Sequence, residues 1–229
     1  MKYLLIICLF VYAVLGQAQE TTIKRFPIDP NNLPIVCKGK DGNHGHFVQP
    51  EALSRNSIMN PATFEVDFDR NMPPRAIAAF DYVLQLLSER ISSTIPIRVS
   101  VSWEDLGEFT LASTGPAEFV KDFPNGPKGI AFPIALAEKI AQQPINSNRE
   151  PDIYVSIGNS AEWFYDYENP SNISNTEFDY VSVMLHELLH GIAFIGLATV
   201  ENGLGSIKTV SNPSDCLEDA CKGPSIYDV

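Results

Sequence analysis

The stretch HELLHGIAF, from His186 to Phe194, contains two histidines four residues apart, with a glutamate directly after the first. Residues four apart lie one above the other on the same face of an α-helix. Both imidazoles can therefore reach one metal ion, and Glu187 lies beside them, where it can take a proton from a water molecule that the metal activates. The chain has only 4 histidines. The spacing therefore predicts a metal-binding helix rather than a core helix with two hydrogen-bonded histidines.

The residues before this stretch predict where the helix begins and how it packs. Thr176 and Asp179 have the spacing of a capping box, with Thr176 as the N-cap. One apolar stripe follows at helical spacing and consists of Val181, Met184 or Leu185, Leu188 and Ile192. His186 and His190 lie off that stripe. We therefore expect the apolar side of the helix to pack on a core while the imidazoles point elsewhere.

The motif resembles that of the zincin metallopeptidases, a superfamily built around a zinc-binding HExxH helix. The longer string is similar to the HExxHGxxF variant of secreted peptidase-like domains, and the likeness is sharp over residues 176–197. The resemblance implies that His186 and His190 bind Zn²⁺ and that Glu187 is the general base. The metzincin extension HExxHxxGxxH is absent, since Ala193 and Gly196 stand where glycine and histidine would be needed. No methionine follows Met184, so the methionine turn of that branch is missing as well.

A catalytic zinc ion normally has three protein ligands and one open position, so a third ligand is expected. The other two histidines, His44 and His46, lie far upstream. A downstream ligand must then be an oxygen donor, and the candidates are Glu201, Asp215, Glu218, Asp219 and Asp228. Glu218 fits a short helix after Pro213, and Asp228 is its rival.

The first residues predict the compartment. Lys2 precedes an apolar run, and small residues end it at Ala18, which is the pattern of a secretory signal peptide over residues 1–18. The run is too short for a membrane span, so no membrane anchor is expected. The formal net charge is −12, and loss of Lys2 makes it more negative by one. This acidic balance argues against nucleic acid as a partner.

The cysteines and one sequon fit a secreted glycoprotein. Once Cys8 leaves with the signal peptide, an odd number remains in an oxidising compartment. Cys216 and Cys221 are the predicted disulfide. Cys37 is then free, bonded to another chain, or paired with a cysteine beyond the sequence. A further hypothesis is that its thiolate occupies the open position of the zinc ion and keeps the enzyme inactive in a latent form. Asn172 begins the sequon Asn-Ile-Ser and is the candidate glycosylation site.

The order of predicted elements indicates an α+β fold. Alternation predicts strands at 64–68, 97–103 and 152–157, and Pro73 and Pro74 open a helix through about Ile91. With the metal-binding helix, this order agrees with a zincin-like fold: a mixed sheet, a backing helix and an HExxH helix. Residues 19–60 are predicted to be an arm or propeptide. Residues 61–229 are predicted to form a zincin-like metallopeptidase domain, and the short remainder after residue 197 suggests that this domain is truncated.

The leading expectation is a secreted zinc-dependent endopeptidase that acts on a protein or peptide. A substrate strand would pair with residues 152–157 as an edge strand, with Tyr154 or Trp163 lining the cleft, and Tyr227 is a candidate donor to the oxyanion. Aromatic residues of this kind belong to the core more often than they line a cleft. The alternatives are a zincin-like secreted domain without turnover and a secreted binding or adhesion module.

Overall fold

The computed structural model describes most of the chain between residues 59 and 196, with short segments on either side. The described residues are 22–31, 35–38, 59–147, 149–196, 198–201 and 204–207. The predicted signal peptide lies outside these ranges.

The elements are numbered in chain order. The strands are β1 Lys24–Pro27, β2 Ile35–Lys38, β3 Phe64–Phe68, β4 Ile97–Glu104, β5 Thr110–Pro116, β6 Glu118–Lys121, β7 Phe132–Pro133, β8 Ile153–Gly158, β9 Trp163–Phe164, β10 Phe178–Asp179, β11 Ala198–Glu201 and β12 Leu204–Ile207. The α-helices are α1 Pro74–Ser88, α2 Ile134–Ala141 and α3 Tyr180–Ile192. The histidine motif lies in α3, as the sequence predicts.

A mixed five-stranded sheet, in the order β2-β5-β8-β4-β3, forms the centre of the described part. β3, β4 and β8 run parallel to one another. β5 is antiparallel to β8, and β2 is antiparallel to β5. Parallel neighbours need a crossover connection, and α1 supplies it between β3 and β4.

Strand β4 has one apolar and one polar face, because its residues alternate between buried and half-buried. Ile97, Val99 and Val101 are buried, whereas Ser100 and Ser102 are only half-buried. Successive side chains of a strand point to opposite faces, so the alternating pattern predicts a strand with one covered face. The helices α1 and α3 contact each other, and α3 also contacts β5 and β8, so both belong to the covered face.

Helix α1 confirms the predicted start and ends earlier than predicted. Pro74 is its first residue, where the missing N–H of proline costs no hydrogen bond. The helix stops at Ser88 rather than near Ile91, because the chain turns there to meet the segment before β3. The Ser88 hydroxyl donates to the carbonyl oxygen of Ala62 at 2.8 Å.

A smaller three-stranded sheet, in the order β1-β6-β7, was not predicted from the sequence. Helix α2 packs on β6 and β7, and their shared core contains Phe123, Phe132 and Ile134. This second core is separate from the one under α3. Two short pairs complete the described part: β9 with β10 in parallel, and β11 with β12 antiparallel.

A buried polar cluster ties α2 to the start of β8. Both Asp152 and Glu138 are almost completely inaccessible to solvent. Asp152 accepts hydrogen bonds from the Arg98 backbone N–H and the Asn146 side-chain amide, each at 2.7 Å. Burial raises the pKa of Asp152 to about 6, the nearby Glu138 carboxyl adds to the rise, and these hydrogen bonds oppose it.

The fold of the described part is α+β, with a mixed sheet and three α-helices among those residues. This confirms the predicted fold class. Within the same residues, no helix combines the length and the apolar character that a membrane span requires.

Candidate metal centre

Helix α3 begins at Tyr180, one turn later than the sequence suggests. The predicted N-cap, Thr176, is wrong: the N-cap is Asp179, whose carboxylate accepts hydrogen bonds from the Val181 N–H at 3.3 Å and the Ser182 hydroxyl at 2.6 Å. Thr176 is instead part of the preceding turn. The physical reason is that Phe178 and Asp179 are held in β10, paired with β9, so helical geometry starts only afterwards.

The apolar stripe of α3 packs as predicted. The residues Val181, Met184, Leu188 and Ile192 are all buried, and Leu185 is only partly buried. Gly191 marks the closest approach to the sheet, since a Cβ atom built there would lie 2.3 Å from Cγ2 of Ile153 in β8. Glycine at this position therefore allows the helix to lie directly on the central strand.

The two histidine side chains converge on the outer side of α3. Their Nε2 atoms are 3.0 Å apart, and the ring planes are nearly perpendicular at 86°. Two imidazole nitrogens bound to one zinc ion at a tetrahedral angle would be about 3.3 Å apart, given Zn–N bonds of about 2.0–2.1 Å. The observed separation is close to that value. Without a metal, it also suits an N–H···N hydrogen bond between the two rings.

His190 has a second contact that orients its ring. Nδ1 of His190 lies 2.5 Å from the carbonyl oxygen of Phe194, just beyond the end of α3. A carbonyl oxygen only accepts, so Nδ1 carries the proton, and neutral His190 presents the lone pair of Nε2 toward His186. This is the kind of outer contact that fixes a metal-binding histidine. Partial burial, and to a lesser degree His190, lowers the pKa of His186, which favours its neutral form.

Glu187 follows His186 directly on α3 and is completely buried, with 0 % of its surface exposed. Among the described residues, neither of its carboxylate oxygens has a hydrogen-bond partner. Burial raises the pKa of Glu187 to about 8. A buried carboxylate without a partner is costly, so a cation, or a water molecule held by one, would relieve an unfavourable arrangement here.

The histidine pair and Glu187 fit a zinc ion through their donor types. Two neutral imidazoles are common zinc ligands, and the orphaned carboxylate lies next to them in the sequence. The described residues contain no group of three His, Cys, Asp or Glu side chains that could hold a metal. The candidates Asp215, Glu218, Asp219 and Asp228 lie outside those residues. Glu201 belongs to β11, but its side chain is not described.

Cys37 lies on β2 and forms no disulfide with a described residue. Its side chain packs against the core beneath α3. Burial raises the pKa of the Cys37 thiol to about 11, and the charge of Glu187 adds to this rise. Because no three-residue metal group is formed within the described part, Cys37 is not brought together with the two imidazoles. The hypothesis that its thiolate caps the metal is therefore not supported.

Two expectations about the peptide-binding cleft are wrong. Strand β8 is not an edge strand, since it pairs with β4 on one side and β5 on the other. Tyr154 alternates with the core residues Ile153 and Val155, so it points to the polar face of the sheet, away from α3. Trp163 is a core residue, and its indole N–H donates to the carbonyl oxygen of Gly158 at 2.8 Å.

Asn172 is exposed at the end of a short 3₁₀ turn, Pro170–Asn172. Its position leaves the sequon accessible from solvent. The predicted disulfide between Cys216 and Cys221 and the candidate Tyr227 lie outside the described residues.

Sequence reasoning missed two features of the site. The carbonyl oxygen of Phe194 is one, because a backbone acceptor leaves no residue-type signal. The other is β2, which lies within the predicted arm and contacts α3. Its four residues, IVCK, are apolar enough to have been read as a short strand.

Comparisons with known proteins found no family model, no curated protein and no solved structure that matches this chain.

Proposed function

We propose that the chain is a secreted, zinc-dependent peptidase with a zincin-like fold, in which His186 and His190 bind the metal and Glu187 is the general base. One observation carries the proposal: two imidazole Nε2 atoms 3.0 Å apart on α3, with a fully buried and unpartnered carboxylate between them in the sequence. The signal peptide that the sequence predicts at residues 1–18 supports the extracellular location.

The geometry of α3 supports separate roles for its residues. His186 and His190 would hold the metal, and the Phe194 carbonyl keeps the proton of His190 on Nδ1. When bound, zinc acts as a Lewis acid and lowers the pKa of water. Glu187 accepts the proton of the attacking water and returns it to the leaving amine.

A peptide is the substrate class that the observations favour. The HExxHGxxF resemblance points to peptide-bond hydrolysis, and the strongly acidic chain is a poor match for nucleic acid. β5, an antiparallel strand of the central sheet, lies beside α3, and an extended chain can pair with a strand of this kind by main-chain hydrogen bonds.

The test is the variant Glu187→Gln, which keeps the size of the side chain but removes the base. We expect cleavage of an unfolded protein substrate to fall by a factor of about 10²–10⁴, the usual contribution of a general base, while the zinc content is unchanged. The matched control is Glu168→Gln, because Glu168 is exposed on the 163–179 loop and should leave both measurements unaltered.

Two other outcomes identify the rival functions. Stoichiometric zinc without cleavage by the native chain would mean a zincin-like domain without turnover. Absence of zinc, together with absence of cleavage, would favour a secreted binding module. Undiminished cleavage by Glu187→Gln would show that the catalytic role assigned to Glu187 is wrong.

A further inference from the structure

The predicted arm is not free of the domain; it contributes two strands to it. β1 pairs antiparallel with β6, from Lys24 opposite Lys121 to Pro27 opposite Glu118. β2 pairs antiparallel with β5, with Cys37 opposite Ala112. β5 and β6 follow each other directly in the chain. β1 therefore pairs with the later strand, β6, and β2, which follows β1 in the chain, pairs with the earlier strand, β5.

β2 occupies the outer side of β5, and it is the last strand of the five-stranded sheet on that side. β5 lies under α3, and β2 itself contacts α3. The side chain of Cys37 packs into the core that contains Met184 and Leu188 of α3. Without β2, the edge of β5 would be open next to the helix that carries the histidine pair.

An open edge strand is a template for another extended chain, which pairs through its main-chain N–H and C=O groups. A peptide that added to β5 in the antiparallel sense would occupy the place of β2. The two chains cannot form the same ladder of hydrogen bonds at once.

The two strands of the arm are held unequally. β1 is anchored by a bidentate ion pair, in which the Arg25 guanidinium donates to both carboxylate oxygens of the buried Glu118, at 2.8 and 2.7 Å. Phe26 of β1 is buried as well. β2 has the same length as β1, four residues, but its register shifts between Cys37 and Lys38. The anchor at β1 thus keeps β2 nearby when its own short ladder opens.

We propose that β2 is an autoinhibitory strand, tethered through β1, which must leave the edge of β5 before an extended peptide substrate can pair there. This inference rests on the proposed peptidase function. A tethered strand competes at an effective concentration of about 1 mM. A variant that releases β2 should therefore lower the apparent KM for an unfolded substrate by about tenfold or more.

A reversible lock tests the inference on the whole chain. Cys37 and Ala112 are directly opposed in the antiparallel pair, and opposed residues of such pairs are close enough for a disulfide. The variant Ala112→Cys should form this bond on oxidation and lose cleavage activity, and a phosphine reductant should restore it. Ala112→Ser is the matched control and should be insensitive to oxidation.

The opposite change is Cys37→Pro, because proline fixes φ near about −65° and so distorts the extended backbone that β2 needs for pairing. We expect it to lower KM, while Cys37→Ser keeps the native value. Equal activity of the locked and unlocked Ala112→Cys protein would overturn the inference, as would failure of the disulfide to form. Circular dichroism and zinc content confirm that each variant is folded.

A binding measurement separates failure of this inference from failure of the peptidase assignment. The probe is a fluorescent synthetic copy of residues 33–40 with serine in place of Cys37, tested against the same variants in a Glu187→Gln background. We expect binding to the Cys37→Pro form and none to the locked form. If no variant cleaves but binding follows the state of β2, the peptidase function is wrong and the strand exchange is right. If cleavage occurs but neither measurement responds to β2, the inference is wrong and the peptidase function stands.

Discussion

At the scale of single residues, one feature of the site can be read from the sequence and another cannot. The spacing of the two histidines is visible in the sequence, whereas the burial of Glu187 is not. The four-residue interval between the histidines predicts convergence of the imidazoles, and their Nε2 atoms do converge. The complete burial of Glu187 has no sequence signal of its own. The side chain is buried because α3 packs against β5, β8 and β2 of the central sheet.

The first prediction concerns His190. His190→Ala should weaken zinc binding by more than about 100-fold, because it removes a proposed direct ligand, whereas even the loss of a residue that only contacts a ligand costs about 10–100-fold. Competition with a chromogenic chelator measures the affinity. Glu168→Gln is again the control. Native affinity in His190→Ala would mean that zinc, if bound at all, is bound elsewhere.

At the scale of secondary-structure elements, a strand or helix could be predicted only where its apolar residues recur with a regular period. Strands β3, β4 and β8 and helix α1 were found because each presents alternating or helical apolar spacing along one covered face. β5 was missed because its sequence, TLASTGP, has small and polar residues and is buried on both faces. No alternation arises in a strand that has no solvent side. Helix α2 was missed since its eight residues are too few for a clear period.

The second prediction tests how α3 sits on β8. Gly191→Ala places a methyl group within 2.3 Å of Cγ2 of Ile153, and overpacking of this kind destabilises by about 1–3 kcal/mol. Ile153→Ala should cost about 2–5 kcal/mol, because the side chain is fully buried. Chemical denaturation gives the free energy of unfolding for each variant.

The control is the double variant that combines Gly191→Ala with Ile153→Ala, whose loss of unfolding free energy is compared with the sum of the two single losses. If the clash is real, Ile153→Ala removes the obstructing atoms, and Gly191→Ala then costs much less than it does alone. Strict additivity of the two losses would contradict the close packing of α3 on the sheet.

At the scale of the whole molecule, two cores are joined by the buried cluster around Asp152. The cluster connects α2, which belongs to the smaller core, to β4 and β8 of the central sheet. Nothing in the sequence predicts this cluster, because Arg98 and Asp152 are 54 residues apart in the chain. Aspartate and glutamate side chains are expected at the surface, because most of them are exposed in folded proteins.

The third prediction is a pH dependence that arises from this cluster. The pKa of Asp152 in the folded chain, about 6, exceeds its ordinary value of 3.8. The folded state therefore holds the proton more tightly than the unfolded state does, and this stabilisation is complete below about pH 4 and lost as the pH rises to about 6. The loss is about 1.4 kcal/mol per pH unit within that window.

The measurement compares the native chain with Asp152→Asn, which cannot titrate. The difference in unfolding free energy between them should change across the window and be constant above it. The other charged groups that face Asp152 are Glu138, whose pKa burial also raises, and the guanidinium of Arg98. Asp81→Asn, an exposed position on α1, should follow the native curve. A constant difference from pH 4 to pH 8 would contradict the raised pKa.

We propose that one zinc ion is bound between successive turns of α3, and the zinc K-edge absorption spectrum of the purified, zinc-loaded chain is the test. We expect two imidazole nitrogens at about 2.0–2.1 Å from the zinc, and we expect their scattering to disappear in the variant that lacks both His186 and His190. A spectrum without imidazole scattering, or one that is identical in the native chain and the double variant, would contradict it.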